Sequence, residues 1–172
     1  MQKHLQELKD SLTTLLEGLS NDELNRSVLG KWSVAEVFEH LYLSYTGTTR
    51  GFSRVEEAGK PSAGRPTLKN RLQTFVVVGL GYFPKGRKSP PTALPRGLSP
   101  KKVMAEIASN VDEMDEIISR CAQKFGPDIK ILDHPILGPL SANQWSKFHL
   151  VHGRHHLKQI ERLRVETNPR SS

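Results

Sequence analysis

Cysteine occurs once in the chain, at Cys121, so no internal disulfide can form, which fits a reducing compartment. That lone thiol falls on the apolar side of a helical pattern, where it reads as a small core residue and not as a nucleophile. Also missing is any apolar run long enough to cross a membrane, and the N-terminal M-Q-K-H-L-Q-E-L-K-D lacks the apolar segment of a secretory leader. These absences predict a cytoplasmic protein. There is no glycine-rich phosphate loop, no C-x-x-C pair, no G-x-S-x-G elbow and no internal repeat. The histidines are left as the only chemical constellation.

Charge points nowhere in particular. The net charge of +7 and a pI near 9.7 raise the question of nucleic acid or anionic lipid. Much of that charge lies in Lys85, Arg87, Lys88, Arg96, Lys101 and Lys102, in and just after a Pro/Gly-rich loop, and in Arg162, Arg164 and Arg170 near the C-terminus. No helix-turn-helix spacing, zinc-finger pattern or aromatic RNA-binding signature accompanies it, so a solvated basic loop is the better reading and nucleic-acid binding ranks last. With 172 residues, 36% hydrophobic and 25% charged, the chain suits one domain over 1–166, followed by a polar tail at 167–172 that should fray.

Four of the seven histidines lie in W-S-K-F-H-L-V-H-G-R-H-H-L-K-Q-I-E-R-L, residues 145–163. On a helix Trp145, Phe148, His149, His152, His156, Gln159, Ile160 and Leu163 share one face, while Lys147, Arg154, Lys158 and Glu161 fall elsewhere. His152 and His156 are one turn apart, about 5–6 Å at Cβ, within reach of one metal ion. They either hydrogen-bond to core neighbours or form an H-x-x-x-H ligand pair, and in the second case a third ligand should come from another helix.

Leu5, Leu8, Leu12, Leu15 and Leu19 trace the stripe of a first amphipathic helix. Ser20 with Glu23, Ser33 with Glu36 and Ser141 with Gln144 have the capping-box spacing and predict three helix starts. On the helix that follows Ser33, the residues Val37, His40, Leu43, Ser44 and Gly47 share a face. His40 therefore points inward with small residues beside it, which suits a site better than a packed core. Leu68, Leu72, Phe75, Val76 and Leu80 predict a short packing helix, chosen over a strand despite the Val76-Val77-Val78 run. Residues 81–98 hold too much proline and glycine for regular structure and should form a lid or wall over the site. Ser99-Pro100 reads as an N-cap and first turn of a helix reaching about Lys124, ended by Gly126-Pro127, with Val103, Ile107, Val111, Met114, Ile118 and Cys121 inward. Residues 131–140 read as an apolar connection, and His134 within it as a structural loop residue.

The segments K-W-S-V-A-E-V-F-E-H-L at 31–41, H-P-I-L-G-P-L-S-A-N-Q-W at 134–145 and V-H-G-R-H-H-L-K-Q-I at 151–160 resemble the DinB-like superfamily, which includes YfiT-like metalloenzymes and thiol-dependent transferases. The likeness spans most of the chain. It implies an all-α four-helix bundle with a long Pro/Gly-rich loop and a short extra helix. It also implies a divalent metal, zinc or nickel, held by His40, His152 and His156 with open positions left. His155 matches the doubled histidine but points about 100° from His156, as a packing or supporting residue. His149, one turn before His152, is a rival ligand on geometry that the family pattern disfavours.

A divalent ion on three neutral imidazoles keeps its charge and open positions, and so can acidify water or stabilise a thiolate. The resemblance then implies a thiol-dependent S-transferase or a hydrolase acting on a small molecule, with a low-molecular-weight thiol as one partner. The other class is a non-enzymatic, stress-related binding module whose metal only stitches helices together. Family members often form homodimers, but no spare apolar face singles one out here.

Overall fold

The computed structural model describes residues 3–25, 27, 30–84 and 89–166, and it is mostly helical. The first helix, α1, spans Lys3–Glu17; its Leu5, Leu8 and Leu12 are fully buried, with Leu15 half-buried behind them. A short helix follows, α2 (Asn21–Asn25), opened by Ser20, whose N–H donates to the Glu23 carboxylate at 2.9 Å.

Helix α3 (Val34–Ala58) starts where the Ser33/Glu36 box places it, with Ser33 Oγ accepting from the Glu36 N–H at 3.2 Å and the Ser33 N–H donating to Glu36 at 2.7 Å. Glu36 is thus a cap residue, as its spacing predicts. The helix ends at Gly59, whose φ of 68° is the left-handed conformation that favours glycine. Helix α5 (Pro100–Phe125) lies along α3 and is ended by Gly126. Ser99 occupies the predicted N-cap position, but its side chain makes no capping bond, and proline in the first turn sets the start instead. Cys121 is a buried free thiol that packs against α3, as expected.

Two expectations are corrected between these helices. The spacing of Leu68, Leu72, Phe75 and Leu80 does form a helix, α4 (Leu68–Thr74), continued by one π turn at Phe75–Gly79. Yet all four of those residues are exposed, and Val77 and Val78 are buried instead. The wider i→i+5 turn rotates the valine pair toward the last helix and leaves the leucine stripe outside. Residues 131–140, read as an apolar connection, are a hairpin: β1 (Lys130–His134) pairs antiparallel with β2 (Gly138–Ser141), Leu132 opposite Leu140 and His134 opposite Gly138. A two-stranded sheet has only edges, so Pro139 costs it little, and Pro135 sits in the turn.

Strand β2 runs directly into helix α6 (Ala142–Glu166), whose start is set by Ser141 and Gln144. Trp145 Nε1–H donates to the Leu132 carbonyl at 3.1 Å and ties hairpin to helix. Besides the inward face read from the sequence, Leu150, Gly153 and Leu157 are buried too, because α6 packs against α1, α3, α5 and the π turn together. Among the described residues of the 81–98 stretch there is one 3-10 turn, Pro91–Ala93. Lys85, Arg87 and Lys88 and the tail at 167–172 lie outside the described residues. Among the described residues no helix is long and apolar enough to cross a membrane.

Candidate metal centre

His40 stands in the second turn of α3, and His152 and His156 stand one turn apart in the middle of α6. The two capping boxes fix where each helix begins and hence which way its side chains face. All three rings are buried, and their ligand nitrogens lie within 4.8 Å of one another. His152 Nε2 is 3.1 Å from His40 Nε2 and 3.1 Å from His156 Nε2. Zinc–nitrogen bonds of about 2.0–2.1 Å put neighbouring ligands in a tetrahedron roughly 3.3–3.4 Å apart, so the spacing suits one small cation.

The outer nitrogens settle the tautomers. His40 Nδ1 lies 2.7 Å from the Ala93 carbonyl, which can only accept, so Nδ1 carries the proton and Nε2 offers a lone pair. His156 Nδ1 lies 2.9 Å from Gln159 Oε1, with the same consequence. Two lone pairs therefore face one further nitrogen. A proton on His152 Nε2 could satisfy one of them, whereas a cation satisfies all three.

Burial, more than any neighbour, pushes each of these imidazoles below its ordinary pKa: His40 is lowered, His156 falls to about 3, and His152 lies well below the usual value, with His156 and His40 adding to the effect. The rings are thus neutral near pH 7, the form that binds metal without first releasing a proton.

The cluster opens on a cavity of about 840 Å³. The Phe148 ring stacks on His152 at 5.3 Å, Trp32 sits 5.2 Å from His40, and Phe83 lies 5.4 Å from His152. Phe83, Pro84, Ser89, Pro90 and Leu94 come from the 81–98 stretch, which makes it a wall of the cavity, one of its two expected roles.

The other histidines divide as follows. His149, the rival ligand, sends Nε2 to Thr48 Oγ1 at 3.0 Å and stands outside the cluster. His155 is half-buried, its ring 4.8 Å from that of Phe83, a packing role. His134 accepts the Ile136 and Leu137 N–H groups on Nδ1, both at 3.1 Å, and closes the hairpin turn while lining the cavity.

Of three positioning groups, two were not apparent in the sequence. The Ala93 carbonyl is a backbone atom with no signature. Glu39, buried at 3% exposure, accepts the Arg96 N–H at 2.8 Å and the Gly97 N–H at 3.2 Å. It therefore holds the segment whose Ala93 orients His40. Gln159, three residues after His156 on the same face, was visible by spacing alone.

No curated protein matches the chain, and no solved structure does. A model of a protein family of unknown function, DUF1569, matches residues 1–163, and the chain belongs to that family.

Proposed function

We propose that this protein is a divalent-metal enzyme on a four-helix bundle of the DinB-like kind, with zinc or nickel as its cation, that performs thiol-dependent S-transfer or hydrolysis on a small molecule. The observation that carries the reading is the convergence of three imidazole nitrogens, two of them with outer partners, Ala93 and Gln159, that leave their lone pairs facing the third. Histidine ligands held by a backbone carbonyl and a side-chain amide are the usual second layer of a metal site. Three ligands also leave room in the coordination sphere, where a structural ion would normally have four from the protein.

When bound, the cation supplies Lewis acidity that lowers the pKa of a thiol or water reaching it. The chain does the rest. Ala93 and Gln159 orient the rings, Phe148, Phe83 and Trp32 keep bulk water off them, and the cavity holds the second reactant. Among the described residues the carboxylate lining the cavity is Asp133, whose oxygens accept the Gly64 N–H at 3.2 and 3.3 Å, so none lining it is without a partner. That favours S-transfer: the thiol gives its proton to solvent, sulfur bonds to an electrophilic carbon, and the leaving group departs with the bonding electrons.

The test is metal analysis of protein purified without a histidine tag, with His40→Ala, His152→Ala and His156→Ala beside it. About one equivalent of divalent metal is expected in the parent and a loss of ten-fold or more in affinity in each variant. Equal metal content in all four proteins sinks the triad. Chelated protein should keep its helical circular dichroism, whereas melting on chelation would make the ion structural.

A further inference from the structure

We infer that the cavity beside the histidine cluster carries a second subsite, built by Arg50 and Arg54, that binds the anionic end of an elongated small molecule. The inference rests on reading the cluster as the reactive end of the same cavity. His40, Gly47 and Arg54 follow one another at seven-residue steps along α3, so they drift only about 20° each time and form one stripe, with Arg50 on its flank. All four line the cavity. At about 1.5 Å per residue, Gly47 stands about 10 Å and Arg54 about 21 Å along the axis from His40. Helical side chains lean toward the N-terminus, which inclines both arginines, exposed to solvent, toward the His40 end of α3.

The space between is open. A Cβ added at Gly47 would meet nothing within 4 Å, and apolar Leu43, Leu132 and Phe148 wall the passage. Charge then selects the occupant. Neither arginine side chain has a hydrogen bond or ion pair among the described residues. Of the nearby carboxylates, Glu56 is engaged by Arg120 at 2.8 Å and Asp133 by the Gly64 N–H, while Glu57, three residues after Arg54, is exposed to solvent. Two cations one helical turn apart repel, and a carboxylate, phosphate or sulfonate lying between them removes that cost while accepting the forked N–H donors of each.

Fluorescence titration of the chelator-treated protein with two dyes that differ only at one end, dansylglycine with a carboxylate and dansylamide without, tests this subsite. Dansylglycine should bind at least ten-fold more tightly to the parent. The Arg50→Gln/Arg54→Gln protein should lose that difference and keep its affinity for dansylamide. Gly47→Phe, which fills the passage, should weaken both dyes ten-fold or more, with circular dichroism confirming that the variants fold. Equal affinities in the parent, a preference that survives the double replacement, unchanged binding in Gly47→Phe, or no binding of either dye at millimolar concentration would each overturn the inference. Because the metal is removed, these results do not depend on the histidine triad, whose own failure shows in metal content.

Discussion

Tyr45 places a hydroxyl in the fully buried space between α3 and α6, and among the described residues that oxygen finds no hydrogen-bond partner. Burial pushes the phenol's pKa up, so it stays protonated, and its O–H is desolvated without compensation. Tyr45→Phe should therefore stabilise the protein by about 1 kcal/mol and raise the thermal midpoint by about 2–4 °C. A drop on scanning calorimetry would show that the hydroxyl is satisfied. Residue roles of this kind follow from neighbours. That His40, His152 and His156 face inward was legible from 3.6-residue spacing. That Ala93 and Glu39 support them was not, because a carbonyl and an interior carboxylate bear no periodic mark.

Among the elements, α1 and α6 meet closely because Gly153 has no side chain. A Cβ there would run into Leu8 Cδ1, and Leu8 is fully buried in the core. Gly153→Ala gains about 1 kcal/mol of helix propensity but overpacks the contact by about 1–3 kcal/mol. The expected outcome is a lower urea midpoint, and a smaller loss when Leu8→Val is combined with it; additive losses would place the clash elsewhere. The helices themselves were readable, since stripes and capping boxes are local. The hairpin was not, because Pro135 and Pro139 argue against a strand unless both strands are edges. Nor was the exposure of Leu68, Leu72 and Phe75, which depends on a π turn that no spacing announces.

At the scale of the molecule, the stability of the metal-free protein is coupled to pH through its buried histidines, those outside the cluster adding to the three within it. Burial lowers His134 to about 4 and His149 to about 3, the second also feeling His134. The unfolded chain takes up protons first, so their stabilising contribution is complete above about pH 6.5 and is lost as pH falls toward 4 and then 3. At pH 5 each has given up about 2 kcal/mol. Chelated protein should therefore show a thermal midpoint that is level from pH 8 to 7 and drops steeply between 6.5 and 5; a level midpoint down to pH 5 would mean that these rings are not buried neutral. The long helices, the starts set by their capping boxes and the inward direction of His40, His152 and His156 were determined by the sequence alone, because they depend on interactions within a few residues. Bringing His40 to within 3.1 Å of His152, 112 positions later, was decided only by the tertiary structure. So was the cavity that links them to Arg50 and Arg54, since both arise from packing α3 against α6 and from a loop that Glu39 holds in place.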